Sequence, residues 1–383
     1  MRSLRLNNPD IYSMKNIAHA WITDLKMYEP GKPIEEVARE LGFASVDDII
    51  KLASNENALG PSPLALKAMK RAASQMHRYP DSSAHLLRRA LSKKLGVKPD
   101  QLLIANGGNE IIEFIGHVFL GPDVDMVVAD RAFAIYRLIG DMFRARVISV
   151  PMKNFTHDLD AMLAAITPQT RVVFIANPNN PTGTMVSGET LDRFMQQVPE
   201  HVVVALDEAY VELLPKDQQP DTLKYVREGQ KIIIIRTFSK TYGLAGLRIA
   251  YAVAPEDGIQ LMHRVRQAFN FSTMALAAAE AALADDAFVR KTRRMIQAGL
   301  KLFTEYLPRM GIAYVPSVTN FMLVEAGQAR ATFHALQKEK VIVRPMDGYG
   351  LPDHVRITVG TRAENERCLK ALARVMGKPE PQF

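Results

Sequence analysis

The stretch TFSKTYGLAGLR, residues 237–248, places a lysine, two hydroxyl side chains and an arginine directly after the apolar run KIIIIR. A lysine that is desolvated or close to other cations loses its proton readily, and the free amine can form a Schiff base with a carbonyl group. Thr237 and Ser239 are small hydrogen-bond donors, and Arg248 carries a planar cation that suits a phosphate. Lys240 is therefore a candidate covalent catalyst, although a lysine at this place can also extend to solvent or pair with a carboxylate.

Polar residues follow three other apolar runs of the sequence. Gly108 and Asn109 come shortly after LLIAN, and glycines that open a helix expose backbone N–H groups suited to phosphate. Asn180 lies between two prolines in the motif NPNNPTG. Asp207 and Tyr210 follow HVVVAL, where a buried carboxylate is costly unless it meets a cation. Taken singly, each of these features is explained equally well by a turn or a helix cap.

One cofactor would use all of these groups. Ligands of open α/β sheets bind outside the carboxyl ends of the strands, which is where these residues lie. Pyridoxal 5'-phosphate needs a lysine for an imine, an acid for its protonated pyridine nitrogen and donors for its phosphate. A dinucleotide site has little support because no G-x-G-x-x-G motif follows a strand and opens a helix. We predict pyridoxal phosphate as the cofactor and no metal, since no Cys/His cluster has zinc spacing.

Seven apolar runs separated by helical segments predict the sheet that positions these residues. Near-continuous apolar strands between helices imply a mainly parallel sheet covered on both faces. The segment IEEVARELG predicts a short helix, and IIKLASN predicts a strand. Residues 274–310 have helical periodicity, and the chain after them alternates between strands and helices, which indicates a smaller α+β domain. The fold class is α/β, and the seven predicted strands are residues 102–106, 126–130, 146–150, 171–177, 201–207, 231–237 and 248–254.

Composition limits the setting in which the protein acts. The chain has 383 residues, of which 48% are hydrophobic and 23% charged, and its net charge is +7. Basic residues are scattered among acidic ones, so we predict small-molecule substrates and no nucleic-acid partner. No apolar stretch reaches the roughly 18 residues that span a membrane, and the N-terminus lacks the apolar core of a secretory signal. Cys368 is the single cysteine, and we therefore expect a cytoplasmic protein without membrane contact.

The ordered motifs of the chain resemble those of fold-type I pyridoxal-phosphate aminotransferases, and they are most similar to histidinol-phosphate aminotransferases. The resemblance runs from about Tyr28 to the C-terminus. The motifs that carry it are KLASNEN (51–57), HRYPD (77–81), NPNNPTG (177–183), DEAY (207–210), TFSKTYGLAGLR (237–248), VRPM (343–346) and YGLPDHVRITVGT (349–361).

The resemblance implies a role for each candidate cofactor residue. Lys240 would bind the cofactor covalently and then carry a proton between the substrate and the cofactor. Asp207 would pair with the pyridine nitrogen, and Tyr210 and Asn180 would hydrogen-bond the oxygen on the ring. Phe133, in DRAFAIY, would stack on the ring face. The phosphate would be held by Gly108, Asn109, Thr237, Ser239 and Arg248.

The resemblance also implies a substrate site. Arg356, in HVRITVG, corresponds to the arginine that binds the carboxylate of glutamate or 2-oxoglutarate. Tyr28 and Arg344 match positions that contact the phosphate of histidinol phosphate, and Asn55 belongs to the same implied set. An arginine at the end of VIVR can equally be a surface charge.

The implied reaction converts L-histidinol phosphate and 2-oxoglutarate into imidazole acetol phosphate and glutamate, in ping-pong order, for histidine biosynthesis. An aromatic amino acid aminotransferase, a phosphothreonine decarboxylase of the same fold and a non-catalytic module that kept the fold are the alternatives. The resemblance further implies a homodimer with the active site at the subunit interface.

The expected organisation is an N-terminal arm over residues 1–25, a small domain over 26–54 and 281–383, and a large cofactor domain over 55–280. One residue departs from the pattern of the family. Relatives often read NENPYG, whose tyrosine reaches the cofactor phosphate of the partner subunit, whereas this chain has Leu59 at that position.

Overall fold

The computed structural model describes residues 13–27 and 31–383. Its helices are α1 (Ala20–Thr23), α2 (Ile34–Leu41), α3 (Pro63–Ala72), α4 (His85–Leu95), α5 (Gly108–Phe119), α6 (Ala134–Met142), α7 (Leu159–Ala164), α8 (Gly188–Gln197), α9 (Leu223–Arg227), α10 (Glu256–Val265), α11 (Thr273–Leu283), α12 (Asp286–Arg309), α13 (Ala329–Lys338) and α14 (Arg362–Val375). Its strands are β1 (Ile50–Lys51), β2 (Leu102–Ala105), β3 (Asp125–Ala129), β4 (Arg146–Val150), β5 (Thr170–Ala176), β6 (Val203–Asp207), β7 (Ile232–Thr237), β8 (Ala250–Val253), β9 (Tyr314–Val315), β10 (Phe321–Glu325), β11 (Val341–Ile342), β12 (Arg344–Met346) and β13 (Leu351–Thr358).

A seven-stranded sheet in the order β2-β8-β7-β6-β5-β3-β4 forms the centre of the molecule. Strands β7, β6, β5, β3 and β4 run parallel, and β8 runs antiparallel to both of its neighbours. The central strands β5 to β7 are buried almost throughout, as expected when helices cover both faces of a parallel sheet. The predicted α/β fold class is confirmed, and the bounds of the seven predicted runs agree with those of the seven strands to within two residues at each end.

Two predicted elements differ in detail. The apolar run IIKLASN contributes only Ile50 and Lys51 as strand, because these two residues pair with β11 and the chain then turns into the central cavity. The helical stretch 274–310 is divided into α11 and α12. Asp285 accepts a hydrogen bond from Phe288 N at 3.0 Å and so caps the N-terminus of α12. Because the chain leaves the helical conformation at this cap, α11 and α12 are separate helices.

The remaining strands form smaller sheets. Strands β12, β13, β10 and β9 make an antiparallel sheet in that order, and β1 pairs in parallel with β11. Buried apolar residues form one large cluster between Ala65 and Val289, and a second cluster joins residues between 37 and 53 to residues between 303 and 373. This distribution is compatible with the predicted domains, whose boundaries stay a prediction. Among the described helices, none has the length and apolarity needed to cross a membrane.

Candidate active site

A cavity of about 320 Å³ lies at the carboxyl ends of β5, β6 and β7. Every predicted site residue in the described part of the chain lines it: Asn55, Gly108, Asn109, Phe133, Asn180, Asp207, Tyr210, Thr237, Ser239, Lys240, Arg248, Arg344 and Arg356. Tyr28, the remaining predicted residue, lies outside the described residues. A cavity of this size with convergent polar groups is typical of a small-molecule site.

Lys240 lies three residues past the end of β7, where its ammonium group enters the cavity. Its Nζ donates to the carbonyl of Ser54 at 3.4 Å and lies 5.6 Å from the centre of the Tyr210 ring. Burial lowers the pKa of Lys240 to about 8, and the positive charge of Arg356 also lowers it. A substantial fraction of the amine is therefore unprotonated near neutral pH, which makes Lys240 nucleophilic.

Asp207 is the last residue of β6, and its carboxylate is buried in the floor of the cavity. Tyr136 donates to its Oδ2 at 2.7 Å and the backbone N–H of Ala209 donates to its Oδ1 at 3.0 Å. Burial raises the pKa of Asp207, while both hydrogen bonds act in the opposite direction. A carboxylate held in this way can face a protonated ring nitrogen.

Sequence reasoning missed several cavity residues, of which Tyr136 is the most informative. It lies in the apolar start of α6, so its sequence pattern indicates only a core aromatic residue. The spacing of three residues from Phe133 was the available signal, because it places both rings on one side of the first helical turn. Other cavity residues not predicted include Ser54, Glu56, Ile112, Ala209 and Tyr349.

The wall of the cavity formed by the start of α5 and Arg248 carries groups that can bind an anion. Helix α5 begins at Gly108 and directs its first backbone N–H groups into the cavity. Gly107 precedes it with φ +91°, and a Cβ on this glycine would lie 2.4 Å from Arg248 Nη2. The guanidinium of Arg248 therefore packs directly on the glycine backbone, which a side chain at position 107 would prevent. Thr237 donates to Ser239 Oγ at 2.9 Å on the same wall.

Two further arginines enter the cavity from the antiparallel sheet. Arg344 on β12 and Arg356 on β13 are direct cross-strand partners. The Arg356 guanidinium donates to Asn180 Oδ1, and also to the carbonyl of Ala53 at 2.7 Å. Asn55 donates to the hydroxyl of Tyr210 at 2.9 Å, and burial raises the pKa of Tyr210 to about 12. Tyr210 therefore remains a neutral phenol that can donate a hydrogen bond.

A buried ion pair behind the cavity links the two strands that carry Asp207 and Thr237. Glu208 and Arg236, the neighbours of these residues, form a buried pair with 2.7 Å between Arg236 Nη2 and Glu208 Oε2. Thr222 donates to the other carboxylate oxygen at 2.7 Å. The negative charge of Glu208 is therefore compensated on the side of the strand that faces away from the cavity.

The fold and the cavity define a pyridoxal-phosphate enzyme of fold type I, and comparison with known families agrees. The family model for "Aminotransferase class I and II" matches residues 47–372. The chain belongs to this family. The predicted class, a pyridoxal-phosphate-dependent aminotransferase, is thereby confirmed.

Several similar proteins are histidinol-phosphate aminotransferases, as the motifs indicated. The protein of this name from Akkermansia muciniphila is 47% identical over 365 residues, which cover 95% of this chain and 100% of the relative. The one from Methylobacillus flagellatus is 47% identical over 91% of this chain and 94% of its own. The crystal structure of histidinol-phosphate aminotransferase from Sinorhizobium meliloti in complex with pyridoxal-5'-phosphate matches with a TM-score of 0.87 and 28% identity, over 96% of this chain and 99% of that chain.

Proposed function

We propose that this chain transfers the amino group of L-histidinol phosphate to 2-oxoglutarate, which gives imidazole acetol phosphate and glutamate for histidine biosynthesis. The pair Arg344 and Arg356 carries the proposal, because two cationic side chains occupy directly opposite strand positions in the cavity that contains Lys240. Two guanidinium groups on neighbouring strands make this side of the cavity positive, which favours an anionic ligand. The relatives named histidinol-phosphate aminotransferases support a phosphorylated substrate.

The cavity residues fit pyridoxal phosphate. Gly108, Asn109 and Arg248 would hold the phosphate, together with the hydroxyl groups of Thr237 and Ser239. The close packing of Arg248 on Gly107 supports this role, because it aligns the guanidinium with the start of α5. Phe133, Asp207, Asn180 and Tyr210 would hold the ring. When bound, the cofactor supplies an electron sink that weakens the bonds around the amine-bearing carbon of the substrate.

Lys240 has two tasks in this proposal. Its unprotonated Nζ would bind the cofactor covalently in the resting enzyme. After the substrate amine replaces it, the same Nζ would accept the proton from the substrate carbon as general base and then deliver it to the cofactor as general acid. A pKa of about 8 suits both tasks near neutral pH, because neither protonation state of the amine is rare.

Substrate orientation would come from the arginine side of the cavity. Arg356 would bind the carboxylate of glutamate or 2-oxoglutarate, and Arg344 would bind the phosphate of histidinol phosphate with Tyr28. Asn55 would position Tyr210 through the observed hydrogen bond. The two half-reactions would share one site and therefore follow ping-pong order.

The reaction is tested by a half-reaction measurement on the cofactor-loaded protein. Histidinol phosphate should change the absorbance of the cofactor rapidly, and the variant Lys240→Ala should not turn over. Lys216→Ala is the matched control, because Lys216 is exposed and is not among the cavity residues. It should retain wild-type turnover.

Four other results would contradict the assignment. Rapid change with phenylalanine or tyrosine, and none with histidinol phosphate, would identify an aromatic amino acid aminotransferase. Release of carbon dioxide from phosphothreonine would identify a decarboxylase. Wild-type turnover by Lys240→Ala would show that this lysine does not have the proposed role. If the wild-type protein reacted with none of these substrates, the result would favour a non-catalytic module that kept the fold.

We also propose the predicted organisation: an arm over residues 1–25, a small domain over 26–54 and 281–383, and a large domain over 55–280. The two separate apolar clusters support this division. A homodimer is part of the proposal, because family resemblance places the cofactor site at the subunit interface. Cytoplasmic localisation is proposed from the single, buried cysteine.

A further inference from the structure

Tyr136 is a fully buried tyrosine whose hydroxyl group is directed at the carboxylate of Asp207 in the floor of the cavity. It is 1% exposed, and its hydroxyl oxygen lies 2.7 Å from Asp207 Oδ2. A phenylalanine would fill the same volume in the apolar start of α6. Burial of the hydroxyl is unfavourable unless it makes a hydrogen bond, so the Asp207 contact explains its presence.

The ring of Tyr136 is held in place by its aromatic neighbours. It stacks on Phe174 of β5 with 4.7 Å between ring centres and an angle of 14° between the ring planes. It also meets the edge of Phe133, with ring centres 5.7 Å apart. Because the ring cannot turn away, the hydroxyl group stays opposite Asp207. The contact thus joins α6 to the end of β6.

The charge of Asp207 depends on a small set of neighbours. Burial and the negative charge of Glu208 favour its protonated form. The ammonium of Lys240 and the two hydrogen bonds, from Tyr136 and the backbone of Ala209, favour the carboxylate. Of the two hydrogen-bond donors, the hydroxyl of Tyr136 is the side-chain group, so Tyr136→Phe removes it without changing the backbone.

We propose that Tyr136 is a positioning residue that keeps Asp207 ionised and correctly oriented, and thereby determines how firmly the ring nitrogen of bound pyridoxal phosphate retains its proton. The proposal rests on the proposed function only in requiring this cofactor. It is independent of which amino donor the enzyme uses. Asp207 contacts the cofactor in this scheme, and Tyr136 acts through Asp207.

The test compares Tyr136→Phe with the wild-type holoenzyme carrying pyridoxal phosphate labelled with ¹⁵N in the ring. The chemical shift of that nitrogen reports its protonation directly. We expect the wild type to retain the protonated signal to higher pH than the variant. We also expect the dissociation constant of the cofactor to rise about tenfold in Tyr136→Phe, because a loss of about one pKa unit in the preference of Asp207 for its carboxylate form weakens its pairing with the protonated ring by that factor.

Tyr225→Phe provides a matched control. Tyr225 is likewise buried and donates to an aspartate, Asp192, but neither residue lines the cavity. This variant should show the wild-type ring-nitrogen titration and cofactor affinity, even if its thermal stability falls. If Tyr136 had only a structural role, Tyr136→Phe would also show the wild-type ring-nitrogen titration and cofactor affinity.

The double variant Tyr136→Phe/Asp207→Asn gives a second measurement. With asparagine at position 207 the hydroxyl no longer meets a carboxylate, so adding Tyr136→Phe should change cofactor affinity far less than it does in the wild-type background. Equal effects in the two backgrounds, or a wild-type nitrogen titration in Tyr136→Phe, would overturn the proposal. If the wild-type chain bound no pyridoxal phosphate, the proposed function would fail first and this inference with it.

Discussion

At the residue scale, the ionisation of Lys240 can be measured apart from catalysis. In the cofactor-free protein, burial and the charge of Arg356 lower the pKa of Lys240 to about 8 from an ordinary value of 10.5. Acylation requires the free amine, so the rate of Lys240 modification should reach half its maximum near pH 8. Competitive labelling across a pH series, followed by mass spectrometry of the peptide that contains Lys240, measures this midpoint.

The variant Arg356→Met tests how far the charge of Arg356 lowers the pKa of Lys240. Removing a nearby positive charge makes protonation of the lysine easier, so the labelling midpoint should move to higher pH. The other lysine peptides of the same digest serve as internal references and should be labelled alike in both proteins. A midpoint that stays in place would mean that the charge of Arg356 does not lower the pKa of Lys240.

The charged and reactive residues that follow buried strands were the ones whose place in the cavity could be predicted. Lys240, Asp207 and Arg248 are unusual next to buried strands, and their charges need partners, so their sequence positions are informative. Tyr136 was not predicted, because a tyrosine in an apolar helix has the same pattern whether or not its hydroxyl group meets a carboxylate. Its role depends on a contact with Asp207, which lies 71 positions away. The sequence around Tyr136 does not show that the fold brings these two residues together.

At the scale of elements, the strands were predictable and their order was not. Strand β8 has the same apolar pattern as its neighbours, yet it runs antiparallel to β7. Parallel neighbours need a crossover, usually through a helix, and the connection from Thr237 to Ala250 contains only a short 3-10 turn at Ala245–Leu247. The segment that carries Lys240 is therefore also the connection that reverses the chain, and this second role is visible only in the fold.

The end of β5 depends on a buried histidine. His157 Nε2 accepts a hydrogen bond from the backbone N–H of Ala176 at 3.1 Å, and burial lowers the pKa of His157 from 6.5 to about 4. The unfolded chain therefore binds a proton at a higher pH than the folded chain does. The contribution of His157 to stability is fully present above pH 6.5 and is lost as the pH falls to about 4, which amounts to about 3 kcal/mol.

The variant His157→Gln tests this pH dependence. Glutamine can accept the same hydrogen bond through its side-chain oxygen but does not titrate. Its free energy of unfolding, measured with urea over the same pH range, should decline less steeply with acid than that of the wild type. His77→Gln, at an exposed site, should follow the wild type. Parallel curves for His157→Gln and the wild type would contradict the assignment.

At the scale of the whole molecule, the segment that carries Leu59 joins the loop that contains Lys240 to helix α12. Asn57 donates to the carbonyls of Lys240 and Thr241 and to the hydroxyl of Thr292 on α12. A Cβ on Gly243 would lie 2.0 Å from the carbonyl oxygen of Gly60, so the two segments pack backbone to backbone. Leu59 is thus held on a rigid support while its own side chain is only half-buried.

The proposed homodimer predicts that the side chain at position 59 affects the binding of pyridoxal phosphate. If this position faces the cofactor phosphate of the partner subunit, Leu59→Tyr supplies a hydrogen bond to a charged group. Such a bond contributes about 1.5–3 kcal/mol, so the dissociation constant of pyridoxal phosphate should fall roughly ten- to hundredfold. Titration of the cofactor-free dimer, followed by absorbance, measures the change.

Leu59→Phe separates the hydroxyl group from the ring, since it adds the aromatic ring without the donor. It should bind the cofactor with nearly the wild-type affinity. The gain in Leu59→Tyr should also vanish when the protein is diluted until sedimentation shows monomers, because the donor and the phosphate then belong to separate molecules. A gain that persists in the monomer would place the tyrosine against its own cofactor site, and the cross-subunit contact would be wrong.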